Sequence, residues 1–413
     1  MAEDDIYKSR QKYETLVENF DKLTEKPKGN RKYYCKNKAN IKYFRELVKY
    51  FELKDLSYIR RRKVLYTLRL ITFIIEKDLK DCEREDINKI VTFGHDKFKT
   101  VNSKKDFIKD LKCIWKILFP EKDRKGRIDE TITPYVVRHI SRKVDKSKEK
   151  LRNDRISFEE FQAIVKFFDK DPKIQAYLML AFESLGRPQE ILYTKIKDYQ
   201  FNDSYARIWI SEHGKEGTGF LQCIDSYPYV LEWFKQHPLK GNSEAFFFIN
   251  QNNRGKFQQL KNHNINVRLK TACKALGIDK TVTCYSLKRN GITYRRLRGD
   301  SDIEIQHVAR WTSTRQLKVY DMSTQEDALT MALKKRGFVD EMKKDLDMKI
   351  KICLFCGQDN GCTAEICSIC KRPLDREKLR EQAKVHERMM NMQIVQKLDR
   401  MEQMFVKEKS RRI

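Results

Sequence analysis

No run of about 18 apolar residues, the length a membrane-spanning helix requires, occurs in the chain. The opening residues, MAEDDIYKSRQKYE, are polar and charged, so no secretory leader is expected. No internal repeat is visible. Negative charge is short as well: 59 Asp and Glu stand against 87 Lys and Arg in 413 residues, a net charge of +28. With a pI near 9.5, such a surplus creates a field that attracts polyanions, nucleic acid first and an anionic membrane surface second. Hydrophobic residues make up 40% of the chain, enough for folded domains, so the charge does not signal simple disorder. The length fits two or three domains, and the expected location is the cytoplasm, in association with the nucleoid.

Eleven cysteines are present. Cys35, Cys82, Cys113, Cys223, Cys273 and Cys284 are scattered and read as free, buried thiols of a reducing compartment. The other five crowd into CLFCGQDNGCTAEICSIC, where Cys353-x-x-Cys356 is followed after ten residues by Cys367-x-x-Cys370. Two such knuckles at short separation are the pattern of a zinc ribbon, a closed four-thiolate site that is structural rather than catalytic. A redox pair would need only one of them. Cys362 is not expected to be a ligand.

The pattern of apolar residues predicts a mainly α chain with a small antiparallel β-sheet. Residues 1–35 form a charged N-terminal segment. Over 36–122, IKYFRELVKYFELKDL, RRRKVLYTLRLITFIIEKDL and VNSKKDFIKDLKCIWKILFPE place apolar residues at three- and four-residue spacing, with Ser103 as an N-cap, and predict a basic helical domain. Residues 123–150 are charge-dense and read as a linker. In 151–345, Ser157 is expected to cap one helix, Gly186 to end another, and Pro188 to open the next at its first turn. YARIWISEH and GFLQCID read as two strands joined by the turn GKEGTG. Residues 350–374 hold the ribbon. In 375–413 a single helix is expected, its Ile394, Leu398, Met401 and Phe405 forming a seam for a short coiled coil or for packing on the same protein.

Residues 155 to about 335 resemble the catalytic domain of the tyrosine recombinases, or integrases, and the helical region before them resembles that family's core-binding, DNA-binding domain. SLGRPQEIL matches the first-arginine motif at Arg187 and Glu190, and HGKEGTGF carries the hairpin lysine, Lys215. YSLKR falls on the second-arginine box, ARWTS places Trp311 at the late His or Trp position, and Tyr320 falls at the nucleophile. The resemblance implies catalytic roles for Arg187, Glu190, Lys215, Tyr285, Lys288, Trp311 and Tyr320, with Arg289, Arg310 and Arg315 on DNA. It also implies double-stranded DNA as partner, a homo-tetramer in synapsis, and no metal or nucleotide in the chemistry. The appended ribbon is similar to those of archaeal integrases.

The residue types suit the reaction. A tyrosine can attack a phosphodiester and hold the 3′ phosphate covalently. Arginine forks grip the non-bridging oxygens, and a lysine can protonate the departing oxygen. One departure stands out: the usual His-x-x-Arg is here Tyr285-x-x-Lys288. Lysine cannot fork onto two oxygens, and Tyr285 cannot carry a proton near neutral pH as an imidazole can. Lys288 substitutes as a point charge, Arg289 reaches the site through a shifted helix, or catalysis is weakened and the chain is a DNA-binding relative. A relaxing enzyme of the type IB topoisomerase kind, using the same covalent step, is a further alternative.

Overall fold

The computed structural model describes residues 8–27, 32–143, 153–210, 219–338, 348 and 350–409. The chain divides into two compact units, residues 1–152 and 153–413. Among the described residues no helix is long and apolar enough to cross a membrane.

The first unit is helical: α1 (Ser9–Glu18), α2 (Ile41–Leu53), α3 (Tyr58–Ile74), α4 (Arg84–Lys97), α5 (Val101–Leu118) and the short α6 (Tyr135–Arg138). Its core follows the expected periodicity, with Phe44, Leu47 and Phe51 of α2 against Leu65, Leu68 and Ile71 of α3 and Leu111, Ile114 and Trp115 of α5. The unit reaches beyond the expected 36–122. Tyr13, Phe20 and Cys35 of the charged leading segment, and Val137 and Ile140 of the expected linker, lie in the same core. Charge density in the sequence hid these anchors: Tyr13 lies between exposed Lys12 and Glu14, and Phe20 is followed by exposed Asp21 and Lys22. The cap of α5 is Thr100, not Ser103: Thr100 Oγ1 accepts from the N–H of Ser103, three residues into the helix.

The second unit opens with α7 (Phe158–Phe167), where Ser157 and Glu160 form the expected capping box. Next comes α8 (Pro172–Glu183). Every residue of α8 from Ala176 to Glu183 is buried, as a helix apolar all round must be. Around it follow α9 (Pro188–Leu192), the strands β1 (Tyr199–Phe201), β2 (Ala206–Ile210) and β3 (Gly219–Cys223), and α10 (Tyr227–Gln236). The sheet is antiparallel in the order β1-β2-β3. Ile210 pairs with Gly219 at its open end; the turn between them, with Lys215, lies outside the described residues. A second hairpin, β4 (Ile249–Gln251) with β5 (Phe257–Gln259), leads into α11 (Asn262–Ala275), α12 (Cys284–Arg298), α13 (Asp302–Val308), α14 (Leu317–Tyr320) and α15 (Gln325–Lys335).

Two features aim the site. Helix α12 crosses α8 at Gly291, where a Cβ would lie 2.1 Å from the carbonyl oxygen of Phe182, so only glycine permits the approach. Helix α8 does not end on Gly186, as the sequence suggested. The left-handed residue is Leu185, at φ 55°, while Gly186 is needed for space: a Cβ there would meet Ile191 at 2.9 Å and Leu221 at 3.2 Å.

The ribbon pairs β6 (Lys351–Ile352) with β7 (Asp359–Asn360), and α16 (Arg376–Lys409) follows it. The ribbon is seated on α10. Tyr229 Oη lies 2.6 Å from Thr363 Oγ1 and accepts from the Thr363 N–H at 3.0 Å. A Cβ on Gly361 would strike the Tyr229 ring. On α16, Ile394 and Met401 of the expected seam are exposed.

Candidate active site

A small apolar cluster of Leu185, Ile292, Ile305, Val308, Ala309, Trp311 and Leu317 joins the middle of α12 to α13, α14 and the residues after α8, with Tyr320 packed at its edge. The Trp311 and Tyr320 rings lie 5.3 Å apart at 34°. Lys288 is only 1% exposed. Its Nζ lies 5.5 Å from the centroid of Trp311 and 5.6 Å from that of Tyr320. The Trp311 Nε1 is buried and meets no hydrogen-bond acceptor among the described residues.

Beside this trio stands a carboxylate between two guanidinium groups. Glu190 accepts from the Arg187 N–H at 2.9 Å, from Arg187 Nη1 at 3.3 Å and from Arg310 Nη2 at 2.7 Å. Pro188 at the first turn of α9 explains the local geometry, since it presets the helical start that brings the Glu190 carboxylate back onto the Arg187 N–H. Burial pushes the Glu190 carboxyl up, but Arg310, the Arg187 N–H, the Arg187 charge and Lys288 together hold it below the usual range. The carboxylate is therefore ionised at neutral pH, and the pocket keeps an excess of cations around it.

Arg187, Glu190, Lys288, Arg310, Trp311 and Tyr320 thus gather in one neighbourhood of the second unit, while Tyr285, Arg289 and Arg315 are engaged or exposed elsewhere. Tyr285 is 46% exposed and donates to Gln189 Oε1 at 2.7 Å. Arg289 makes an ion pair with Asp154, on the side of α12 that Asn290 ties to the Asp154 carbonyl and the Ile156 N–H. Arg315 is exposed on the turn before α14. Sequence reasoning missed the fastening of the segment after Tyr320. There the Met322 N–H donates to Thr293 Oγ1 at 2.9 Å, and Arg296 Nε stands 3.1 Å from Asp321 Oδ2. Only the Arg-rich end of α12 hinted at it.

In the ribbon, the sulfurs of Cys353, Cys356, Cys367 and Cys370 all lie within 4.8 Å of one another. Burial pushes the Cys367 thiol up, but the N–H groups of Cys370 and Ile369, with the thiols of Cys356 and Cys370, bring it down to about 6. The cluster is compatible with one metal ion. Cys362 stands outside it, 3.6 Å from Tyr229 Oη.

A half-buried tyrosine thus stands beside a buried lysine and paired arginines on this helical scaffold with its small sheet. Residues 154–337 match the phage integrase family, so the second unit carries that family's domain. The chain's fold is similar to that of the Tn1549 transposon integrase in complex with transposon right end DNA, at 11% identity and a TM-score of 0.55, over 71% of this chain and 99% of that one. The XerH site-specific recombinase in a post-cleavage complex with palindromic difH gives 13% and 0.53, over 81% and 97%. A lambda integrase tetramer bound to a Holliday junction gives 16% and 0.51, over 68% and 76%. No curated protein matches the sequence.

Proposed function

We propose that this chain cleaves and rejoins duplex DNA with Tyr320 as nucleophile. The phenolic oxygen bonds to phosphorus while the bond from phosphorus to the 5′ oxygen breaks, leaving a 3′-phosphotyrosyl link. The 5′ oxygen takes a proton from Lys215, a role assigned by the motif. A 5′ hydroxyl from a second strand then reverses the step, so no ATP is consumed. Arg187 and Lys288 offset the charge gathering on the phosphate, and the Trp311 indole N–H donates to one of its oxygens. The observation that carries this reading is the convergence of Tyr320, Trp311 and Lys288 beside the Arg187–Glu190 pair, with the Trp311 donor buried and unmet. The DNA-bound relatives, one of them a tetramer on a Holliday junction, support duplex DNA as substrate and synapsis of four copies. The test is adduct formation on a nicked duplex whose sequence has been selected from a random library by the full-length Tyr320→Phe protein. Wild type should form the adduct, and Tyr320→Phe should bind equally well and form none. Stable binding without any wild-type adduct would favour the second reading, a recombinase-like DNA-binding protein, for which the Lys288 substitution speaks.

The four ribbon cysteines hold one structural zinc ion with no open position in its coordination. Its binding energy is largely folding energy for residues of about 350–374. Metal analysis should find one zinc per chain, and chelation should unfold the ribbon while the catalytic step on a pre-nicked duplex persists. Protein that folds without metal would remove the assignment.

A further inference from the structure

We infer that Arg310 is a catalytic residue that grips the scissile phosphate and supplies the guanidinium missing at position 288; this rests on the proposed cleavage by Tyr320. Lys288 brings charge to the site but cannot fork onto two oxygens. The adjacent Arg289 is engaged with Asp154 instead. Arg310 comes from a different part of the chain, the turn between α13 and α14, and ends up on the same carboxylate as Arg187. Glu190 takes Arg187 Nη1 on Oε1 and Arg310 Nη2 on Oε2, so one acid holds two guanidinium groups as a pair.

Three further observations point to a ligand for Arg310. Its side chain is 9% exposed, and among the described residues its Nε and Nη1 are buried and meet no acceptor. Buried donors left unmet are costly, and a guanidinium suits a tetrahedral oxyanion above all. The next residue contributes a second unmet donor, Trp311 Nε1, so three N–H groups of two consecutive side chains lack acceptors. The backbone, finally, is held in the left-handed region at φ 57°, a conformation that non-glycine residues rarely adopt and that recurs at functional sites. The first residue of β3 closes one side of the side chain: a Cβ on Gly219 would lie 3.1 Å from Arg310 Cδ. The hairpin that bears Lys215 therefore springs from a strand end resting on Arg310.

The test uses full-length protein, the selected nicked duplex, and the same duplex with a methylphosphonate at the scissile position. Replacing a non-bridging oxygen by methyl removes the negative charge, so the side chain that neutralises that oxygen becomes dispensable. Arg310→Ala should cleave the ordinary phosphate on the order of 10²-fold more slowly than wild type or worse, with DNA affinity changed far less. One methylphosphonate diastereomer should return its rate toward that of wild type on the same substrate. If the alanine variant does not fold, Arg310→Lys, which keeps the charge and loses the fork, should show the same selective recovery. Wild-type cleavage by Arg310→Ala, or a defect that persists on both diastereomers, would overturn the assignment. A wild-type protein that forms no adduct at all would instead overturn the Tyr320 reading.

Discussion

Replacing Glu190 by glutamine tests whether the carboxylate is the common counter-charge of the site. The substitution keeps the shape of the side chain and removes one negative charge from a group that is 4% exposed. Arg187 and Arg310 lie 3.3 and 2.7 Å from its oxygens, and Lys288 adds to the same field. Removing one partner of a buried ion pair costs about 3–5 kcal/mol, because the remaining charge stays desolvated. For a unit of this size 1 kcal/mol corresponds to about 2–4 °C, so the melting transition of the catalytic unit should fall by roughly 6–20 °C. The pH dependence follows from the direction of the shift. The Glu190 carboxyl is held below its ordinary value of 4.5 in the folded protein. Its contribution is therefore complete above that value and is lost as pH falls through the lower, folded one. Wild type should lose stability in acid more steeply than Glu190→Gln. Phosphate brings back a negative charge, so DNA should raise the melting temperature of the variant more than that of wild type. Thermal denaturation followed by circular dichroism, with and without the selected duplex, reads all three effects. Equal melting temperatures and parallel acid profiles would refute the counter-charge argument.

Two other substitutions probe the scaffold. Gly291→Ala places a methyl 2.1 Å from the Phe182 carbonyl oxygen and 2.8 Å from Leu185 Cδ2, which should cost about 1–3 kcal/mol by overpacking; an unchanged urea midpoint would disprove the close crossing of α8 and α12. Tyr229→Phe deletes the hydroxyl that meets both Thr363 Oγ1 and the Thr363 N–H, leaving buried groups unmet at about 1–3 kcal/mol. Amide exchange over residues 350–374 should accelerate while α8 stays protected, and identical exchange in the two proteins would show that the ribbon does not depend on this contact.

The sequence by itself determined whatever is settled within a few residues. The three- and four-residue spacing of Phe44, Leu47 and Phe51 marks the buried face of α2. Ser157 with Glu160 starts α7, and Pro188 starts α9. The two Cys-x-x-Cys knuckles converge as their spacing requires. Each depends on backbone geometry over one turn of helix or one loop. The same local rules failed where packing overrode them. Leu185 took the left-handed position because Gly186 was needed as empty space beside Ile191 and Leu221. Tyr13 and Phe20 joined a core despite their charged neighbours. Only the tertiary structure decided that Lys288 is buried against Trp311 and Tyr320 while its neighbour Arg289 turns to Asp154. It alone joined Arg310 to Glu190, 120 residues away. Periodicity carries no record of such a meeting, because the close crossing of α12 over α8 at Gly291 and the small core around Leu185 and Trp311 bring the segments together.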